Sequence, residues 1–218
     1  MGHDTDAVGY PERMGDRDGY HHGNLKEALI EAARALVADS GVQGLSLRAV
    51  ARRAGVSQAA PYHHFDSKEA LVAELCRRGF ETLSQRTCAA MEEATTGPER
   101  LVAMARAYVA FARDLPDLFG IMWGGKGLIA DKAPYVELTD TATGSFEQLL
   151  RVVSEGMAAG ELRAGDPLEV ALAAWSAVHG VAVLAQDGGF DNPKMQDLGV
   201  TPERALEAVL RALLAGVA

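Results

Sequence analysis

Cysteine is scarce in this 218-residue chain: Cys76 and Cys88 stand apart, outside any CxxC or Cys/His run of metal-ligand spacing. Two such thiols build neither a disulfide framework nor a zinc site, and they read as reduced thiols of a cytoplasmic protein. Aromatics make up only 6% of residues, but apolar residues reach 48% and charged ones 23%. That balance suits one or two small globular domains and argues against a disordered or fibrous chain. An export signal is lacking too, because Asp4, Asp6, Glu12, Asp16 and Asp18 lie among glycines with no apolar run between them. Residues 1–20 are expected to form a disordered extension. The longest apolar stretch, residues 170–185, is Ala-rich, carries Ser176, His179 and Gly180, and has Glu169 and Asp187 at its ends. It reads as somewhat short and too polar for a membrane span, hence as a buried helix.

Positive charge is also in short supply: 21 Lys and Arg face 30 Asp and Glu, a formal net charge of -9. The total alone argues against nucleic acid, since phosphate affinity comes from clustered Lys and Arg. The distribution argues otherwise. Across residues 44–65 the only charged side chains are Arg48, Arg52 and Arg53, while residues 71–218 hold 13 basic and 20 acidic ones. An acidic body carries one small basic face.

Alternating strand patterns are missing, as are repeats and low-complexity tracts, and helix signals take their place. Asn24 with Glu27 reads as a capping-box start, after which Leu25, Ala28, Leu29, Ala32, Ala33, Leu36 and Val37 keep helical spacing until Gly41. Ser46 can cap a short second helix with Val50, Ala51 and Ala54 inward and Gly55 at its left-handed end; Ser57 can cap a third. Asp66 with Glu69 is expected to open a long helix through Leu71, Leu75, Phe80 and Leu83 towards Met91. Pro98, Pro167 and Pro202 suit first helical positions after the caps Gly97, Asp166 and Thr201. A further helix over about residues 141–157 carries Phe146, Leu149, Leu150 and Val153 on one face, and glycine-rich loops are expected at 124–127 and 187–192. The expected fold is all-α. It comprises a three-helix N-terminal unit over residues 21–70 and a larger helical bundle over residues 71–218.

The densest set of signals lies in residues 46–71: a short capped helix, a turn at Gly55-Val56, and a second short helix bearing Gln58, Tyr62 and His63. That is the grammar of a helix-turn-helix. Val50, Ala51, Val56 and Phe65 form its packing side. On the other side Ala59 and Ala60 keep the backbone close to base edges, Gln58 can pair bidentately with adenine, and Tyr62 and Lys68 suit phosphate oxygens. Lys68 lies in the first turn of the following helix, where free N–H groups favour a phosphate.

Ser46, Arg48, Val50-Ala51, Ala54-Gly55-Val56-Ser57, Tyr62, His64-Phe65, Lys68 and Leu71 together make a pattern that resembles the TetR family of one-component transcriptional repressors. The resemblance covers about residues 24–83. It implies base contact from Arg48, Gln58, Ala59 and Ala60 and phosphate contact from Ser46, Ser57, Tyr62, His63 and Lys68, with His64 mainly structural. Pro61 departs from the pattern, where the family more often has Leu or Ile. It removes a helical N–H and pushes Ala60 away from helical angles, so the recognition helix is expected to be short or distorted. Further along, Trp175, His179 and Gly180 resemble the Trp-x-x-x-His-Gly signature of a subgroup of the family.

The resemblance further implies a homodimer built on the last two long helices, residues 168–185 and 201–217. A twofold dimer would set two reading heads about 34–36 Å apart on a pseudo-palindromic operator of double-stranded DNA. A small, mostly apolar organic effector is expected among Met104, Tyr108, Phe111, Phe119, Met122, Trp123, Phe146, Trp175 and His179. Any of these residues is equally at home in ordinary core, and His179 can be a hydrogen-bonded core residue. No catalytic role, metal, cofactor or membrane is expected. His63-His64 and His21-His22 point apart on a helix and lack a completing carboxylate or thiol. The glycine-lysine spacing over residues 120–126 is not a P-loop, because Gly127 stands where magnesium needs Ser or Thr and the preceding segment reads as helix. Two rivals share these residues: a helical carrier of apolar ligands, and a helical enzyme using His179 with Asp187 or Glu169 beside a non-functional DNA-binding unit.

Overall fold

The computed structural model describes residues 22–124 and 135–217. The expected extension at residues 1–20, His21, and most of the loop at 124–127 lie outside the described residues. Among the described residues the chain is helical throughout, without strands: α1 (His22–Ser40), α2 (Leu47–Ala54), α3 (Lys68–Ala90), α4 (Gly97–Asp114), α5 (Pro116–Gly124), α6 (Val136–Ala158), α7 (Pro167–Gln186), α8 (Pro193–Asp197) and α9 (Pro202–Val217). Two 3-10 turns, Val42–Gly44 and Ala60–His63, flank α2.

Local chemistry explains where most helices begin. The Ser46 side chain accepts the Ala49 N–H at 3.2 Å, and Gly55 closes α2 with φ 70°, a left-handed backbone that a side chain would strain. Asp166 accepts from Leu168 N–H at 2.8 Å ahead of Pro167, and Thr201 accepts from Arg204 N–H at 3.2 Å ahead of Pro202. Several starts differ from expectation, and α6 begins at Val136 rather than about residue 141. α1 is already helical at His22, so Asn24 lies inside it, and the carboxylate of Glu27 is drawn away to Arg78 on α3 at 2.6 and 2.7 Å. Ser67, not Asp66, caps α3, because its extended backbone aims the hydroxyl at Ala70 N–H, 3.1 Å away. Thr96, not Gly97, caps α4, in a capping box with Glu99.

Two cores form. The first gathers Leu29, Ile30, Val37, Leu45, Val50, Phe65, Leu71 and Leu75 from α1, α2 and the start of α3. The second gathers Phe80, Leu83, Tyr108, Phe111, Phe119, Met122, Val178 and Leu210 from α3, α4, α5, α7 and α9. α3 runs through both, and so does α5, whose Ile121 belongs to the first while Leu118, Phe119 and Met122 belong to the second. Close approach of these helices depends on Gly79, where a Cβ would stand 2.5 Å from Met122 Sδ. The expected division near residue 70 therefore falls in the first turn of a continuous helix.

The expectation of a buried helix at residues 170–185 is met on one face only. Ala171, Ala174, Val178, Val181 and Ala182 of α7 are buried, but Leu168, Leu172 and Leu184 are 45%, 43% and 52% exposed. α7 also exceeds the apolarity read from the sequence. An 18-residue window of it has a mean hydropathy of 1.7, which makes it, by length and composition, the one helix among the described residues long and apolar enough to cross a membrane. The single Asp or Glu charges lie at its ends and leave the Ala- and Val-rich middle unbroken.

Candidate functional site

At one end of the molecule α2 and the following turn present a face with little apolar surface. Val50 and Ala51 are fully buried and Phe65 is nearly so, which turns the opposite side of the unit outward. Ser46, Arg48, Ser57, Gln58, Ala59, Tyr62 and His63 are exposed there, and Ala60 and Lys68 are half-buried at its border. The nine residues singled out in the sequence are thus exposed or half-buried. Of the three arginines, Arg53 is folded back onto Asp39 of α1 at 2.5 Å, while Arg48 and Arg52 are exposed.

The third helix expected from Ser57 is instead the four-residue 3-10 turn Ala60–His63. Its bonds run from Ala60 N–H to Ser57 O, Tyr62 N–H to Ala59 O and His64 N–H to Pro61 O, at 3.1, 3.1 and 3.0 Å. Proline at 61 supplies no N–H for a bond to the fourth residue back, and the tighter spacing follows. Pro61 itself is buried. The turn consequently projects Gln58, Ala59 and Tyr62 as a blunt tip rather than as one side of a long helix.

Ion pairs tie this end to the rest of the molecule. Glu27 of α1 grips Arg78, Arg78 and Arg77 both reach Glu74 at 2.9 Å, and Lys26 adds a contact to Glu74 at 3.5 Å. Burial opposes ionisation of Glu74 most strongly, but hydrogen bonds from Arg77 and Arg78 outweigh it and bring its pKa down to about 2. Separately, Arg34 of α1 donates to Asp117 at the start of α5 at 2.7 Å.

Inside the second region lies a cavity of about 500 Å³. Six of the nine residues expected around an effector line it: Met104 and Tyr108 from α4, Met122 and Trp123 from α5, Phe146 from α6 and Trp175 from α7. The other three do not. Phe111 lies seven residues past Met104, about 10 Å further along α4, where the Arg86 guanidinium stands over its ring at 5.9 Å. Phe119 backs the wall, 6.0 Å edge-on to Tyr108 and 5.6 Å from His179 between ring centres. His179 is screened by Trp123 at 4.6 Å and stacked on Trp175 at 5.7 Å, with its Nδ1 on the Tyr108 hydroxyl at 2.9 Å. Its role in the geometry is to orient Tyr108. Burial pushes the Tyr108 pKa up, against opposing hydrogen bonds from Trp175 and Trp123, so the phenol keeps its proton.

Much of the wall went unnoticed in the sequence. Cys76, Phe80, Leu83 and Thr87 face the cavity from α3, and Leu138, Ala142, Ser145 and Leu149 face it from α6. Both sets step by four, three and four residues, the stripe of one helix face. The signal was therefore present, but it reads equally well as ordinary core.

The exposed turn at one end, the cavity at the other and two helices shared between them define an all-α helix-turn-helix protein with a helical domain that encloses a cavity. Residues 29–75 match the model of bacterial regulatory proteins of the tetR family, and residues 101–214 match that of the tetracyclin repressor-like C-terminal domain. The chain belongs to the TetR family of bacterial regulatory proteins. Among solved structures, a protein with unknown function from Rhodococcus sp. RHA1 is 35% identical with a TM-score of 0.79, over 93% of this chain and 100% of its own. The HTH-type transcriptional regulator BetI of Rhizobium meliloti (strain 1021) is 37% identical over 89 residues, 41% of this chain and 43% of its own. The HTH-type transcriptional repressor KstR2 of Mycolicibacterium smegmatis (strain ATCC 700084 / mc(2)155) is 32% identical over 82 residues, 38% of this chain and 40% of its own. The chain thus spans less than half the length of these two curated relatives.

Proposed function

We propose that this protein is a cytoplasmic DNA-binding transcriptional repressor that reads a pseudo-palindromic operator as a homodimer and is released by a small, mostly apolar organic effector. The observation that carries this reading is the continuity of α3 and α5. Each starts or packs in the core that positions the exposed turn, and each lines the cavity. A ligand that displaces Phe80 or Met122 would shift the turn relative to the body, and coupling of about 1–3 kcal/mol would change operator affinity about 5- to 150-fold.

In this reading residues 21–70 form the DNA-binding domain and residues 71–218 the effector-binding and dimerisation domain. Arg48, Gln58, Ala59 and Ala60 meet base edges, and Ser46, Ser57, Tyr62, His63 and Lys68 meet phosphates. Leu168 and Leu172, one turn apart on α7, and Leu184 on its other flank are exposed, as are Ala208, Ala212 and Ala215 on α9, which supports a helix-on-helix contact with a second copy. The stacked Trp175 and His179 rings support placement in the Trp-x-x-x-His-Gly subgroup.

Selection of bound fragments from random duplex DNA tests the reading. The expected result is a palindrome with half-sites about one turn apart, bound far more tightly than scrambled DNA at matched salt. Salt-sensitive binding with no enriched sequence would overturn it and favour a carrier.

A further inference from the structure

Among the described residues the cavity wall carries no Lys, Arg, Asp, Glu or His side chain. An ion placed there has no opposite charge to replace its water. Attraction to the faces of Trp123, Trp175 and Phe146 is small beside that desolvation cost, even for a cation. The ligand is therefore uncharged.

The wall's hydroxyls are selective in a second way. Thr87 Oγ lies 3.0 Å from the carbonyls of Leu83 and Ser84 and 3.2 Å from Gln148 Oε1, all acceptors, so its proton is committed to the protein. Ser145 Oγ stands 3.2 Å from Thr141 O and 2.8 Å from Ser84 Oγ, which makes it a donor to the carbonyl and an acceptor from Ser84. Thr139 donates to Tyr135 O at 3.3 Å, and Cys76 Sγ to Ile121 O at 3.5 Å. The Tyr108 hydroxyl is engaged with His179 Nδ1, 2.9 Å away. Thr143, the wall's remaining hydroxyl, is exposed to solvent, so a molecule in the interior meets lone pairs chiefly on Thr87 and Ser145.

We infer that the cavity binds an uncharged alcohol or phenol on an apolar frame, with its O–H donated to Thr87 or Ser145, and discriminates against carboxylates, ammonium ions and acceptor-only ethers and esters. This rests on the cavity being the effector site proposed above. It adds the ligand's charge and hydrogen-bond sense.

Both tryptophans of the chain line the cavity, so their emission, excited at 295 nm to avoid the probes, reports occupancy directly. The full chain would be titrated with 4-octylphenol, its methyl ether 4-octylanisole, 4-octylbenzoate and 4-octylphenyl-trimethylammonium. The phenol is expected to bind about 5-fold more tightly than the ether, the yield of one net hydrogen bond, and at least about 10-fold more tightly than either ion. Thr87→Val or Ser145→Ala should bring the phenol-to-ether ratio close to one while leaving the ether's Kd unchanged; the second variant serves if the first fails to fold. Equal binding of phenol and ether, an ion that matches the phenol, a ratio unchanged in both variants, or no response to any probe would overturn the inference. Release of the selected DNA fragment is scored separately. The expected order without any DNA release would sink the regulator reading and leave the ligand class standing, whereas DNA release in the reverse order would do the opposite.

Discussion

The reading end and the cavity end are built on opposite plans. Around α1 and α2 the core is filled: Leu29, Val50, Leu71 and Leu75 have no accessible surface, and polar residues are turned outward within a stretch of about twenty positions. Around α4, α6 and α7 the interior surrounds an opening of about 500 Å³, and its walls come from segments far apart in the chain. A filled core holds a rigid shape to be presented, while an open one leaves room for a guest. The contrast also locates the coupling, since α3 and α5 each place buried residues in both cores.

Phe65→Ala would break the comparison at its filled end. A cavity opened beneath the turn is expected to cost about 3–5 kcal/mol, against less than half that for Phe146→Ala, which only enlarges an existing space. Urea unfolding of both variants checks the difference, and equal losses would show the two ends to be packed alike.

Glu74→Gln is next, with a loss of up to about 3 kcal/mol at neutral pH. The folded pKa of about 2 lies below the ordinary value of 4.5, so the stabilisation is complete above pH 4.5 and disappears as pH falls through 2. The stability gap between wild type and variant should close across that window. A gap independent of pH would show that packing, not charge, holds α1 against α3.

Gln58→Ala should relax preference at one operator position by about 1–3 kcal/mol, while Tyr62→Phe weakens binding to all sequences alike. Competition between single-base operator variants separates the two patterns. Smallest in stability terms is Arg34→Ala, at about 1 kcal/mol, because Arg34 and Asp117 form one partly exposed pair. Its sharper readout is the junction itself. Ligand affinity and operator affinity should each persist while the ligand's effect on DNA release diminishes, as measured by fluorescence titration with and without operator.

Much of the reading end was legible because its chemistry is local. Ser46 and Gly55 bracket the short α2, so its cap and turn follow from neighbours a few residues away, whereas α3 is capped by Ser67 and not by the expected Asp66. Even Pro61 announced a distorted helix, though its outcome as a 3-10 turn depended on burial of the ring. At the cavity end Tyr108, Trp123 and Trp175 were identifiable as aromatic residues on helices. Phe111, Phe119 and His179 stand off the cavity wall because depth along a helix and the choice of partner rings are settled by other helices.

The sequence by itself determined an all-α chain, a helix-turn-helix at residues 46–71 and an apolar aromatic set downstream, since helical periodicity, capping and turn chemistry act within a few residues. Only the tertiary structure decided that Thr87 and Ser145 join that set, that His179 stands behind Tyr108, and that α5 belongs to both cores. Those facts depend on how the helices stack, and stacking is settled by the shape of whole surfaces brought together from distant parts of the chain.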